Sequence, residues 1–385
     1  MMFKKLLLLC VMLIPTLALT VRAQDATPTA TPLPAIMADP SKYKVEEILR
    51  RTFITSVVWA SDGRMFWTEK GGVVGVMAAD GTVQDDPVLT VEVRTLNEEG
   101  LLSMVLDPKF DDNHYFYVFY TSPPSVSHTK AADLVVRYTL DGGTAKAPLE
   151  LLRIEIADDS ANQHNGGRLK FGPKDGFLYL TIGDLGNRLG AGNFNAITSK
   201  FHRFAVLNDK LVAAPGNPFP GDSTWVSGLR NNFEFAFDPV NNLIFATENG
   251  PECDDEIDLI IPGQDYGWAG NTDCSRPLVE RQASGVKPLV SWTPTIAPTG
   301  IIVYSGAPFP EWDGKLFYCS WNVGLLNYFD LNEKHTKLVG DQTNVPLPED
   351  VQCRIELAQG PDGNIYFSDV TRLYKISPAD TATGG

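Results

Sequence analysis

One pattern recurs six times along the chain and limits its fold more than any other feature. An apolar run of β type leads into a turn of Asp, Pro, Gly or Asn, and a second apolar run carrying an aromatic residue follows. The copies are VVWASDGRMFWTE (57–69), SMVLDPKFDDNHYFYVFYT (103–121), LKFGPKDGFLYLTIGD (169–184), FAFDPVNNLIFATENG (235–250), IVYSGAPFPEWDGKLFYCSW (302–321) and ELAQGPDGNIYFSDV (356–370). Each reads as two antiparallel strands joined by a turn whose Gly, Asn or Asp accepts a positive φ. Apolar runs of about four to six positions are short for helices and right for buried strands. Further β-like segments lie between the copies: GGVVGVM (71–77), DLVVRYTL (133–140) and TRLYKI (371–376). Hairpins recurring roughly every 45 to 75 residues fit blades of four strands each, so the expected fold is all-β, a six-bladed β-propeller. The alternative is an irregular β-sandwich. A propeller gathers the loops of its blades around a central channel, so polar residues far apart in sequence are expected to converge there.

The ends of the chain read differently. Lys4 and Lys5 precede the apolar run LLLLCVMLIPTLALTV, and Val21-Arg22-Ala23 offers a small-residue cleavage site. Residues 1–23 are therefore expected to be a signal peptide, with an uncleaved anchor as the alternative. Residues 24–42 are rich in Thr, Pro and Ala and poor in large apolar groups, which predicts a disordered linker. The propeller is then expected over 43–378, with a disordered tail at 379–385. About 340 residues suit one propeller domain, and no second linker interrupts them.

Export fixes the redox setting. Four cysteines remain after cleavage, Cys253, Cys274, Cys319 and Cys353, an even number that suits two disulfides. Three connectivities exist; Cys253–Cys274 and Cys319–Cys353 each join nearby segments under the repeat organisation. CxxC spacing is absent, which argues against zinc. Loss of Lys4, Lys5 and Arg22 takes the net charge from -15 to about -18. So acidic a chain is expected to avoid nucleic acid, and it suits divalent cations.

Three loops are too polar and glycine-rich to be simple connectors. In QHNGGRLKFGP (163–173), His164 precedes two glycines and a hairpin; an imidazole there has a pKa suited to removing a hydroxyl proton. In SGLRNNFEFAFDP (227–239), Arg230 and Asn231 stand before an apolar strand, where an arginine can stabilise an oxyanion or grip a carboxylate. In TENGPECDDEIDLIIPGQDYGWAG (247–270), Glu248, Glu252, Asp254, Asp255, Glu256 and Asp258 crowd one segment with carbonyls beside Gly and Pro, as calcium favours. Each also has a plain structural explanation: a core histidine, a blade-edge arginine, a solvated acidic loop.

Together with EEGLLSMVLDPKF (98–110), LYLTIGD, GPECDDEIDLI, DYGW, APTGIIVYSG (297–306) and GPDGNIYF (360–367), these loops resemble the glucose/sorbosone dehydrogenase family. Its members include soluble quinoproteins that oxidise sugars with pyrroloquinoline quinone (PQQ). The resemblance runs from about residue 50 to the C-terminus and implies a six-bladed propeller, in agreement with the repeat count. It implies that His164 is the general base acting on an aldose's anomeric hydroxyl, with hydride passing from that carbon to PQQ. Arg230 and Asn231 match contacts to the reactive end of the quinone, and Asp184 matches an acid beside the substrate. The carbonyls of Gly250 and Pro251 match ligands of the calcium that polarises the quinone. Glu256 and Tyr266 match ligands of a second calcium. The implied partners are a sugar substrate and an exported electron acceptor; the protein would be secreted or periplasmic, without a membrane span after cleavage, and a monomer or homodimer.

The chain also departs from that pattern. Asn322 and Gln352 stand where the family places a lysine and an arginine, while Arg354 matches a second arginine. Glu98 falls near a family glutamine that contacts the cofactor. PQQ carries three carboxylates, and a charged hydrogen bond is worth about 1.5–3 kcal/mol, so two lost cations amount to several kcal/mol unless others, such as Lys200 or Arg203, compensate. Two further expectations follow: a PQQ-less propeller that binds carbohydrate or protein, and a calcium-dependent lactonase.

Overall fold

The computed structural model describes residues 36–157, 163–188, 190–282 and 284–379. The expected signal peptide, most of the expected linker and all but the first residue of the expected tail lie outside the described residues. Six antiparallel sheets follow one another along the chain. Blade 1 holds Ile54–Trp59, Met65–Glu69, Val73–Met77 and Leu89–Thr90. Blade 2 holds Leu101–Leu106, Tyr115–Ser122, Ala132–Asp141 and Thr144–Glu155. Blade 3 opens with Leu169–Phe171 and Leu178–Ile182, blade 4 with Asn232–Phe237 and Ile244–Glu248, blade 5 with Pro298–Val303 and Leu316–Ser320, and blade 6 with Leu357–Gln359 and Ile365–Ser368. These opening pairs coincide with the six repeats, so the propeller read from the sequence is the fold observed. Among the described residues helices are confined to short turns such as Phe110–Asn113 and Leu278–Arg281.

The ring is closed by its ends. Tyr43–Arg50 supplies the outer strand of blade 6 by pairing with the last strand, Arg372–Pro378, from Tyr43 opposite Pro378 to Arg50 opposite Arg372. The fold begins earlier than the expected residue 43. Ile36–Met37 pairs in parallel with Thr343 and Asn344 of blade 5, and the Ala38 N–H donates to Asn344 O at 2.8 Å. An edge strand gains main-chain partners whatever its composition, which is why a Thr/Pro-rich stretch concealed it.

The core is divided among the blade interfaces. Six apolar clusters fill them, one between each neighbouring pair, from Phe66 and Met104 between blades 1 and 2 round to Leu373 and Trp67 between blades 6 and 1. This is why both faces of the inner strands are apolar and the sequence shows near-continuous runs. Nearer the axis, hydroxyls stitch blades together. Thr247 Oγ1 accepts from Glu234 N–H within blade 4 (3.1 Å) and donates to Thr299 O of blade 5 (2.9 Å). Ser368 does the same for blade 6, accepting from Glu356 N–H and donating to Ile54 O of blade 1, each at 3.1 Å. Arg168 fills the channel: its guanidinium meets Glu234 of blade 4 (2.8 Å) and Glu356 of blade 6 (3.1 Å) and donates to Leu102 O of blade 2 (3.3 Å). Both disulfides form as the repeat organisation indicated, Cys253–Cys274 and Cys319–Cys353, with Cα–Cα distances of 5.9 and 5.2 Å.

Candidate functional site

Loops from blades 2, 3 and 4 meet at one end of the channel. His164 sits just before blade 3 with φ +63°, a left-handed backbone uncommon outside glycine and frequent at functional sites. Gly183, at the end of the second strand of the same blade, lets two other segments close on it. A Cβ there would lie 2.1 Å from His164 O and 2.9 Å from Arg230 O, so the glycine of TIGD is what lets three chain segments touch. Asp184 N–H donates to Arg230 O at 2.8 Å, tying blades 3 and 4.

The polar contacts form one network. His164 Nδ1 lies 2.6 Å from Asp184 Oδ1, which also accepts Gly186 N–H at 2.8 Å; Trp268 Nε1 donates to Asp184 Oδ2 at 3.0 Å. Burial pushes the Asp184 carboxyl up, but the His164 hydrogen bond and charge, the Gly186 N–H and the Arg230 field together hold it below the usual aspartate value. An ionised carboxylate only accepts, so Nδ1 carries a proton towards Asp184, and any lone pair the ring offers is on Nε2. Glu98 Oε2 accepts His164 N–H at 2.9 Å and Asn231 Nδ2 at 3.0 Å, joining blade 2 to the network. Arg230 donates through Nη1 to Asn249 O at 2.6 Å, while its buried Nε has no partner. His164, Asp184, Arg230, Asn231 and Glu98 are thus brought together in one network.

Beside this network opens a cavity of about 470 Å³. Glu98, Gln163, Asn165 and Asn249 give it a polar side; Phe53, Trp321, Phe233, Leu102 and Ile355 give it an apolar one. Its cations are Lys70 and Arg168. Sequence reasoning missed Lys70, Phe53 and Trp321. Lys200 and Arg203 do not compensate for missing charge here: Lys200 Nζ donates to Phe194 O and Ala196 O, and Arg203 pairs with Asp175 at 3.0 Å. Nor do Asn322, Gln352 and Arg354 line the cavity. Asn322 donates to Thr295 O at 3.2 Å, and Arg354 Nε donates to Gln352 Oε1 at 2.6 Å while its guanidinium lies 5.6 Å from the Trp321 ring centre. The indole of Trp321, rather than the side chain of Asn322, reaches the cavity.

Gly250, Pro251, Glu256 and Tyr266 do come together. They line a second, small cavity of about 10 Å³ with Glu248, room for roughly one water-sized body. Glu248 and Glu256 face each other across neighbouring strands of blade 4, with Asp258 two residues along. Glu248 Oε1 accepts the N–H groups of Arg230 (2.6 Å) and Asn231 (2.7 Å), but its Oε2, Glu256 Oε1 and both oxygens of Asp258 are buried without a hydrogen bond. Burial raises Glu248 to about 8 and Asp258 to about 7, and burial with the neighbouring carboxylates raises Glu256 well above its ordinary value. The phenol of Tyr266 is engaged, donating to Leu259 O at 2.5 Å and accepting from Ile261 N–H at 2.9 Å, so its side chain is no ligand. Among the described residues no three such side chains form a ready-made metal cage.

The sequence profile described as Glucose / Sorbosone dehydrogenase matches residues 54–374. The chain belongs to this family. Within it, the aldose sugar dehydrogenase YliI of Escherichia coli is 27% identical over 72% of this chain and 77% of its own length. Quinoprotein glucose dehydrogenase B of Acinetobacter calcoaceticus is 27% identical over 68% of this chain but only 60% of its own length. Among solved structures, the PQQ-bound form of an aldose sugar dehydrogenase from Streptomyces coelicolor shares the fold, with a TM-score of 0.69 at 22% identity over 89% of this chain and 100% of that one. Among the described residues no helix is long and apolar enough to cross a membrane.

Proposed function

We propose that this family member is an exported quinoprotein that oxidises an aldose at its anomeric carbon with PQQ and calcium. The observation that carries this reading is the His164–Asp184 pair, whose chain neighbours Gln163 and Asn165 line the large cavity, with Arg230 bonded to the cavity residue Asn249. The name of the quinoprotein relative and the PQQ in the Streptomyces structure support it. The cavity offers a planar, anionic ring system aromatic and aliphatic walls and the Lys70 cation; Arg168, also on its lining, is already paired with Glu234 and Glu356, and Arg230, with an unpartnered Nε, lines the smaller cavity. Bound there, PQQ supplies the hydride acceptor that no side chain can be.

The protein's own contribution is positional and electrostatic. His164 Nε2 takes the proton of the anomeric hydroxyl, and Asp184 stabilises the imidazolium that results. Glu98 holds the His164 backbone and the Asn231 amide in place. Arg230 presents positive charge where negative charge develops. Gly250 and Pro251 through their carbonyls, and Glu256 through its orphaned Oε1, would be the donors for a hard cation in the small cavity, with Glu248 also on its lining; Arg230 and Arg281 line it too and would have to be offset by these carboxylates. Electrons would leave to an exported acceptor outside the cytoplasm.

One observation favours a second reading. Glu98 places a negative group on the cavity lining while Asn322 and Gln352 bring no cation to it, which suits a PQQ-less propeller that binds carbohydrate. Calorimetric titration of the mature domain with PQQ, with calcium and then with chelator, separates the two. Calcium-dependent binding lost in Arg230→Ala supports the quinoprotein; no heat at tens of micromolar PQQ from folded protein overturns it in favour of the binding module. Lactone turnover without PQQ would point instead to a hydrolase.

A further inference from the structure

Trp268 touches both working groups of the site. Its backbone N–H donates to Gly228 O at 2.9 Å, anchoring it beside the loop that carries Arg230, and the residue is only 3% exposed. Its indole N–H donates to Asp184 Oδ2 at 3.0 Å, and the Arg230 guanidinium carbon lies 5.7 Å from the ring centre. Asp184 Oδ1 is already taken by His164 Nδ1 and Gly186 N–H. Both oxygens are therefore engaged, and the carboxylate cannot rotate without giving up a partner. A buried donor aimed at a buried carboxylate is worth more than a surface one, because neither group has water as a substitute.

We propose that Trp268 is a positioning residue: its indole N–H locks the Asp184 carboxylate, which in turn fixes His164 in the Nδ1–H form with Nε2 free to accept a proton. The inference rests on the assignment of His164 as the base. The same ring lies against Arg230, so one side chain sets the relative position of base and cation.

Trp268→Phe removes the N–H and keeps a ring under Arg230. The readouts are the titration midpoint of the His164 imidazole and the exchange rate of its Nδ1–H, both by NMR on the mature chain without cofactor. The groups facing that imidazole are Asp184, Glu98 through the His164 N–H, and Arg230 through its field at Asp184; the substitution changes none of them. Asp184 loses a donor and becomes a stronger acceptor, so the midpoint is expected to move up, and the loosened carboxylate is expected to let the Nδ1–H exchange about ten-fold faster. With PQQ and an aldose, kcat should fall about ten-fold and KM should change little. A folded variant with the parent's Tm, whose imidazole midpoint is unchanged or lowered, would overturn the proposal. Should Trp268→Phe not fold, benzothienylalanine at position 268 deletes the same N–H with the ring shape kept, and the same readouts decide. The imidazole measurements need no cofactor. A parent that turns over no aldose therefore defeats the functional reading alone, and a silent imidazole in an active enzyme defeats this inference alone.

Discussion

The two sides of the central cavity are built on different terms. On the side of blades 2 to 4, buried His164, Asp184, Arg230 and Asn231 and half-buried Glu98 are cross-linked by hydrogen bonds that span three blades. On the side of blades 5 and 6, Asn322, Gln352 and Arg354 turn to their neighbours, and the Trp321 ring lies 5.7 Å from that of Phe53, at the first blade's entry, and tilted to it by 35°. The first side holds its groups by hydrogen bonds within the protein; the second offers an aromatic surface and little fixed charge. The difference teaches that chemistry and grip are separable here. Under the proposed function, the reacting end would be held by the protein's own hydrogen bonds while the end facing the cofactor's carboxylates would rely on aromatic contact.

The largest effect should come from breaking the first side. His164→Gln keeps a polar side chain but no base, and is expected to lower kcat with PQQ and an aldose by about a hundred-fold or more, with Tm close to the parent's. Stopped-flow reduction of PQQ would check it; turnover within a few-fold of the parent would remove His164 from the base role.

Next is the acidic floor beneath Arg230. Glu248 and Asp258 have folded pKa values of about 8 and about 7, above those of an unfolded chain. A raised carboxylate does not penalise the fold at pH below about 4.5, and it withdraws stability as pH climbs through 7 and 8. Chelated protein is therefore expected to lose thermal stability between pH 5 and pH 8.5. Calcium should restore it at the upper pH and do little at the lower. Equal calcium effects at both values, by scanning calorimetry, would show that these carboxylates do not share the cation.

The second side is sharpened by returning what it lacks. Asn322→Lys with Gln352→Arg is expected to tighten PQQ binding about ten- to a hundred-fold, one charged contact being worth about 1.5–3 kcal/mol. Trp321→Ala in the parent should weaken binding by about ten-fold, and less in the double variant, where ionic grip replaces stacking. The smallest effect is expected of Glu98→Gln, which keeps an acceptor for His164 N–H and removes a charge from the lining; PQQ affinity should rise a few-fold by calorimetry.

How far the sequence spoke depended on whether a residue's role was local. The hairpins declare themselves, because alternating apolar runs and turn residues act within about fifteen positions. His164 and Arg230 were visible because glycines and asparagines beside a strand mark a crowded loop. Lys70, Trp321 and Asn249 were harder, since each lies directly after the second strand of a blade and meets the others only across the ring. Aligning the six repeats on that position would have found them. Arg168 shows the opposite limit: its two acidic partners come from blades 4 and 6, and nothing near it in sequence announces them. The early start at Ile36 was hidden because a strand on an edge answers to the backbone of its neighbour and not to its own composition.

The latch between Tyr43–Arg50 and Arg372–Pro378 also imposes an order on assembly. Tyr43–Arg50 finds its place late, since its partner is synthesised only after all the strands of blades 1 to 5. Until then the wheel has a gap, and a cavity walled by all six blades has no closed rim. A guest that needs the closed rim would therefore be admitted only after these two strands have met, and the compartment where they meet would be the one that has to supply it.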